Sequence, residues 1–231
     1  MFEIKCLATG SKGNCYILNM DGGCYILDAG INKKVIDKHV NFNDVDMIFI
    51  SHEHRDHSLA LKELKYCGKP ILTGFENKDF KIAIRNKKYL AIQSPILHGE
   101  CNNNGLILQT KNELILYCTD FSVCQYNLSR FRFTRVIVEC NYIEDAINEA
   151  LENHSIDYSK VVRQINTHMG LNGLELFLDT LDLSMCQAIY LVHNSSDYGN
   201  GILEGSTIMS KYQIKVGVCQ ANGGIEYYGT R

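Results

Sequence analysis

The chain has 231 residues, 45% hydrophobic and 21% charged, with a formal net charge of −3. That length can bury a sizeable core, and the charge excludes a broadly basic, nucleic-acid-coating surface while leaving room for a local groove. No apolar run approaches the roughly 20 residues of a membrane-spanning helix.

In chain order, Phe2–Ala8, Cys15–Asn19 and Cys24–Asp28 read as strands, separated by turns at Gly10-Ser11-Lys12-Gly13-Asn14 and Asp21-Gly22-Gly23. Ile31–Val40 has helical spacing, and Asp46–Ile50 is a short apolar run suited to a strand buried on both faces. Leu59–Cys67 is amphipathic and helical, and Pro70–Thr73 is a short strand. Strands follow at Tyr89–Gln93, Gly105–Thr110 and Glu113–Cys118, the last two joined by a tight Lys111-Asn112 turn, and then at Arg135–Cys140. Ile143–Glu152, Tyr158–Asn166 and Leu174–Leu181 read as helices, Ala188–Val192 as an apolar strand and Leu203–Lys211 as a helix. Ile214–Cys219 and Ile225–Tyr228 are closing strands. Strands flanked by helices in both halves fit an α/β sandwich of two packed sheets with helices outside. With two prolines and no linker-like stretch, one domain over residues 1–231 is expected.

Two basic clusters, Lys78/Lys81/Arg85/Lys87/Lys88 and Arg130/Arg132/Arg135, read as solvated faces rather than phosphate tracks. The ten cysteines are scattered, often within apolar strands (Cys6, Cys24, Cys118, Cys140), with no CxxC pair. Met1-Phe2-Glu3-Ile4-Lys5 runs directly into a strand. Reduced thiols and a cytoplasmic location are therefore expected.

The segment Ser51-His52-Glu53-His54-Arg55-Asp56-His57 directly follows the buried run ending at Ile50. Three imidazoles and a carboxylate so closely spaced cannot share one helical face, so a turn must converge them. Their nitrogen and oxygen atoms suit zinc, iron or manganese. One loop cannot close two coordination shells. His98, Asp120 and His193 each end an apolar run and are the candidate remaining ligands.

His-x-His-x-Asp-His, then a lone His, a Thr-Asp after a strand and a His after a late strand, resembles the ordered signature of the metallo-β-lactamase superfamily. The resemblance spans nearly the whole chain and implies an αββα sandwich of two mixed β-sheets with helices on the outer faces. It implies two divalent ions, zinc or manganese, with iron also suited to the ligands. His52, His54 and His98 would hold one; Asp56, His57 and His193 would hold the other; Asp120 would bridge them. Asp28, in Leu27-Asp28-Ala29-Gly30, matches an aspartate that orients the ligand loop. Two such ions lower the pKa of a shared water toward neutrality and neutralise developing oxyanion charge, chemistry well suited to phosphodiesters.

Within the superfamily, Val138-Glu139-Cys140-Asn141 and Thr167-His168-Met169-Gly170 resemble paired motifs of the nuclease branches. There the Glu–His pair protonates the leaving oxygen. Glu139, His168 and Asp56 are thus the expected catalytic residues. Leu7-Ala8-Thr9-Gly10-Ser11-Lys12-Gly13-Asn14-Cys15 resembles the Gly-Ser-x-Gly-Asn loop of the YycJ/WalJ (VicX) branch of DNA exonucleases. This implies substrate contacts from Ser11, Lys12, Asn14 and Asn141, although the loop reads equally as a tight β-turn. The leading expectation is a nuclease-type phosphodiesterase whose partner is nucleic acid or a nucleotide, with no membrane, and with oligomeric state open to a dimer. The alternatives are a small- or cyclic-nucleotide phosphodiesterase, an acyl hydrolase of lactones, thioesters or β-lactams, and a metal-stabilised binding protein.

Overall fold

Short β-rich runs punctuated by glycine begin the fold, which a computed structural model describes over residues 1–153 and 157–229. β1 (Phe2–Ala8), β2 (Cys15–Met20) and β3 (Gly23–Leu27) pair antiparallel in sequence, and the Asp21-Gly22 turn between the last two takes positive φ at both residues. After α1 (Lys33–Ile36), β4 (Val45–Ile50) adds parallel to β3. After α2 (Arg55–Ser58) and α3 (Leu61–Leu64), β5 (Ile71–Thr73) adds parallel to β4.

The second sheet starts as a meander. β6 (Lys81–Arg85), β7 (Leu90–His98), β8 (Cys101–Gln109) and β9 (Leu114–Cys118) pair antiparallel, and β10 (Val123–Cys124) joins the outer side of β7. It then turns parallel through β11 (Arg135–Glu139). The helices α4 (Glu144–Glu152), α5 (Tyr158–Thr167) and α6 (Leu171–Asp179) cross over to β12 (Ala188–Val192), and α7 (Gly201–Tyr212) crosses to β13 (Lys215–Cys219). β14 (Ile225–Tyr228) closes the edge antiparallel. Among the described residues the sheets hold five and nine strands.

Period-two patterning sorts the core into layers. On β4, Met47 and Phe49 face the other sheet and pack with Tyr16, Tyr25, Leu106, Tyr117 and Ile137. The alternate residues Ile48 and Ile50 pack with Ile36 and Leu64 of the helices on the outer face. On β11, Ile137 points inward while Val136 and Val138 pack outward with Leu174, Leu178 and Ile208 of α6 and α7. Each strand interior is thus covered on both sides, and each such buried aliphatic side chain contributes roughly 1.5–3 kcal/mol. The result is two mixed sheets with helices outside, as the sequence patterning predicts.

Several boundaries differ from those expectations. The Ile31–Val40 segment is helical only at Lys33–Ile36, because Asn32 caps it and a second asparagine cap at Asn41 starts a 3-10 turn. The Leu59–Cys67 segment is a short α3 followed by a 3-10 turn that Gly68 terminates in the left-handed region. The basic run Lys81–Arg85 is an edge strand, and Lys88 pairs with Asp46; cations on an edge oppose strand addition. Arg135 and Arg132 pair with Glu113 and Asp182, while Arg130 lies over Phe80 and Phe131. All ten cysteines are free. Among the described residues no helix is long and apolar enough to cross a membrane.

Candidate metal centre

The carboxyl ends of β3, β4, β9, β11 and β12 converge, and at three of them the chain turns through an uncommon conformation. Asp28, Asp120 and His193 all adopt left-handed backbone, with φ of 55°, 49° and 55°. Non-glycine residues take this region at a cost on the order of 1 kcal/mol, so the surroundings must hold them there. They do: Phe49 O accepts from Asp28 N (2.8 Å), Asn103 Nδ2 donates to the carbonyls of Thr119 and Asp120, and Thr9 Oγ1 accepts from His193 N (2.7 Å).

The ligand loop after β4 is equally constrained. A single turn of helix, α2, capped at His54, is what converges His54, Asp56 and His57. The loop lies against glycine backbone: a Cβ at Gly30 would overlap the Asp56 carbonyl, and one at Gly74 the Ser51 carbonyl. Asp28 holds it from beneath, with both carboxylate oxygens engaged. Its Oδ1 takes Ser51 N (2.7 Å), while Oδ2 takes His57 Nδ1 (2.7 Å), Ser51 Oγ (3.0 Å) and the Tyr117 hydroxyl (2.5 Å). With the proton on His57 Nδ1, as this acceptor requires, the Nε2 lone pair points away from Asp28.

Two groups of donor atoms result, each drawn together within 4.8 Å: His52, His54, His98 and Asp120, and Asp56, His57, Asp120 and His193; a third, Asp120, Glu139, His168 and His193, overlaps the second. Asp120 belongs to all three. Its Oδ2 lies 3.6 Å from His52 Nε2 and 3.7 Å from His98 Nε2, and its Oδ1 lies 3.3 Å from His57 Nε2 and 3.2 Å from His193 Nε2. His98 donates its Nδ1 proton to Thr167 O (2.8 Å), which likewise frees Nε2. The Nε2 atoms of His52 and His193 are buried with no hydrogen-bond partner. Orphaned imidazole nitrogens are costly, and both point into the groups that share Asp120.

The electrostatics call for cations. Asp28, Asp120 and Glu139 are buried and Asp56 is partly exposed, and their ion-pair partners among the described residues are all histidines. Burial lowers the His193 pKa, but Asp120, Asp56 and Glu139 outweigh it and push the group up to about 10. His57 is raised likewise by Asp120 and Asp28 against burial. Burial favours the neutral form of Asp120, yet His193 and His57 hold it well below the carboxylate range. His52 and His98 are lowered by burial and stay neutral, the form that ligates metal. The donor set fits divalent metal ions, which would supply the positive charge that protons otherwise bring.

Beside these groups, Glu139 is a buried carboxylate shared by two imidazoles. Its Oε1 accepts from His168 Nδ1 (2.7 Å) and His193 Nδ1 (3.0 Å), and Oε2 from the Phe121 and Met169 amides (3.0 and 3.3 Å). Burial disfavours the charged form of His168, but Glu139 outweighs it and raises the pKa. The His168 ring stacks on His193 at 5.2 Å and meets His98 edge-on at 5.4 Å. Its bond to Glu139 leaves Nε2 free beside the cleft that His54, Asp56, His98 and Asp120 line.

A family model described as the metallo-β-lactamase superfamily matches residues 8–71, a stretch that includes Asp28 and the ligand loop. The metallo-β-lactamase-fold protein YhfI from Bacillus subtilis superposes with a TM-score of 0.69 at 13% identity, covering 97% of this chain and 99% of that one. The chain has the metallo-β-lactamase fold. Human tRNase Z, short form, gives 0.58 at 14% identity, over 84% and 93% of the two chains. A diphosphatase from the PhnP family gives 0.57 at 15%, over 85% and 88%. No curated protein matches the sequence.

On this metallo-β-lactamase fold the residues read as substrate contacts divide. Ser11 lines the cleft, and Lys12 is exposed on the same loop. Asn14 is buried behind it: its amide nitrogen donates to Gly10 O and Asp56 O and lies 3.0 Å from His57 Nε2, and its oxygen accepts from Gly10 N and the Tyr16 hydroxyl, bracing the glycine loop against the ligand loop. Asn141 lies at the cleft wall, tied to His193 O (2.8 Å) and Gln164 (2.8 Å). Cys118 packs into the core. Sequence reasoning missed Tyr117, Asn103, Asn194 and Glu204. Their partners are backbone or side chains distant in sequence, so no local signal marks them.

Proposed function

We propose that the protein is a metal-dependent phosphodiesterase of nuclease type, acting on nucleic acid or a nucleotide. The hydrogen-bonded row His193–Glu139–His168 beside the His/Asp groups carries this reading. Two divalent cations, zinc or manganese, held by His52, His54, His98, Asp120, Asp56, His57 and His193 would supply Lewis-acid charge at the scissile group. Glu139 fixes His168 through Nδ1 and keeps it protonated, so that Nε2 can give its proton to the leaving oxygen. Asp56, held well below the carboxylate range by His193 and His57 against the effect of burial, stays ionised and orients the nucleophile side of the cleft. Both the tRNase and the diphosphatase among the structural neighbours act on phosphorus by name, which supports the same reaction class. A second reading, cleavage of small or cyclic nucleotides, is favoured by the net charge of −3.

The deciding experiment is hydrolysis of bis(p-nitrophenyl) phosphate by metal-analysed protein with added Mn²⁺ or Zn²⁺, beside an Asp56→Ala/His57→Ala control. Metal-dependent nitrophenol release that the control loses is the expected result. Turnover of a lactone or nitrocefin instead, indifferent to His168→Ala, would make the protein an acyl hydrolase.

A further inference from the structure

Helix α5 turns a polar, partly exposed face toward the cleft. Lys160, Arg163, Gln164 and Thr167 follow the i, i+3, i+4, i+7 spacing that normally carries apolar residues into a core. Here all four line a cavity of about 320 Å³, together with Ser11, His168 and the Ser195–Asp197 turn. Arg163, Thr167, His168, His193 and Ser11 also line the cleft over the histidine groups, so the two hollows are continuous past His168.

Lys160 and Arg163 lie a helical turn apart, and among the described residues neither has an ion-pair partner. Unpaired cations around a polar hollow fit an anion. Among the described residues Asp197 is the one carboxylate lining it, and its Oδ1 already accepts from Ser196 Oγ (3.1 Å). Ser195 Oγ accepts from two amides of its own turn, those of Asp197 and Tyr198, which leaves its hydroxyl proton free to donate outward. The position of α5 is fixed relative to the histidines by His98 Nδ1 to Thr167 O and by Gln164 to Asn141.

We infer that this lobe is a phosphate subsite: Arg163 and Lys160, with Ser11 and Ser195, hold a second phosphate of the substrate, the one flanking the bond to be cleaved. Arginine suits a phosphate because its planar fork makes two parallel charge-assisted bonds. The inference rests on the phosphodiesterase reading and sharpens it. A nucleotide chain or its phosphorylated end carries such a neighbouring phosphate, whereas a cyclic mononucleotide, a lactone or a β-lactam does not.

Calorimetric titration of the metal-loaded protein with thymidine 3′,5′-bisphosphate and with thymidine 5′-monophosphate tests it. The bisphosphate should bind at least tenfold tighter, and Arg163→Gln and Lys160→Gln should each erode that ratio, their double variant removing it. Lys87→Gln, exposed in the turn before β7, should leave the ratio intact. Equal affinities in the native protein, or a ratio that Lys87→Gln lowers as much as Arg163→Gln, would overturn the subsite. Hydrolysis of bis(p-nitrophenyl) phosphate separates the two ideas. A bisphosphate preference without hydrolysis keeps the subsite and sinks the phosphodiesterase, and hydrolysis without a preference does the reverse.

Discussion

Glu139 serves two masters at the residue scale, and this gives its substitution a double signature. Its Oε1 orients His193 toward the donor group and at the same time holds the proton on His168. Outer partners of metal-ligating histidines are worth 10–100-fold in metal affinity, and a general acid roughly 10²–10⁴-fold in rate. His168→Ala should therefore lower kcat by that second factor with metal content unchanged, as turnover beside elemental analysis would show. Glu139→Gln should do both, weakening metal binding as well. It should also move the pH profile. Glu139 raises the His168 pKa against burial, and a general acid works only while protonated, so activity is lost as pH rises through that pKa. Removing the charge lowers the pKa, and the alkaline limb of kcat should shift to lower pH. An unmoved limb would separate His168 from proton donation.

At the scale of elements, the ligand loop and the glycine loop are one packed unit. Gly30 abuts the Asp56 carbonyl, Asn14 N donates to that same carbonyl (2.7 Å), and Ala29 N donates to His57 O (2.8 Å). A side chain at Gly30 would meet backbone that cannot rotate away. Gly30→Ala should thus displace Asp56 and His57 together, costing metal binding at that donor group while far-ultraviolet dichroism stays native. A metal content unchanged from that of the native protein would show the loop to be more pliant than its contacts imply. Where elements are locally encoded, the sequence reports them well: β4, β9, β11 and β12 are largely apolar runs, and a site residue stands at or within two residues of the end of each (His52, Asp120, Glu139 and His193). Where they depend on tertiary partners it does not. Cys101–Asn104 is polar and poor in strand formers, yet it extends β8, because Asn103 and Asn104 are buried and bond the carbonyls of Thr119, Asp120, Gly74 and Asn77. His98 accordingly ends a long strand and pairs with Cys101 across a tight hairpin turn. The candidate ligands were legible because their chemistry is dense in one motif; that Asn14 is a buried brace was not, because an exposed contact and a buried brace look identical in a sequence.

At the scale of the whole molecule, the candidate centre ties the two sheets together, since His52, His54, Asp56 and His57 follow β4 of one sheet while Asp120 and His193 follow strands of the other and Glu139 ends one. Metal should therefore stabilise the fold as well as the site. A ligand present at a thousandfold its Kd contributes about 4 kcal/mol, which in a chain of this size corresponds to a Tm shift of about 10 °C on chelation. Next to His193, Asn194 leads to a second group whose ionisation makes the molecule pH-sensitive. Glu204 on α7 is buried, accepting from Asn200 N (3.0 Å) and Asn194 Nδ2 (2.5 Å), and burial pushes its pKa from 4.5 to about 7. Between those two values the folded state binds more protons than the unfolded one, so stability falls as pH rises through the interval. At about 1.4 kcal/mol per unit the loss is on the order of 3 kcal/mol. Glu204→Gln removes the ionisation and keeps an acceptor for Asn200 N, at the expense of opposing its amide to that of Asn194, roughly 1 kcal/mol. Urea unfolding at pH 5 and pH 7.5, with metal present throughout, should find the variant less stable than the native protein at the lower pH and more stable at the higher. Parallel pH dependences in the two proteins would mean that Glu204 ionises without cost in the fold, and that Asn194, which it holds beside His193, is anchored by something other than a protonated carboxyl.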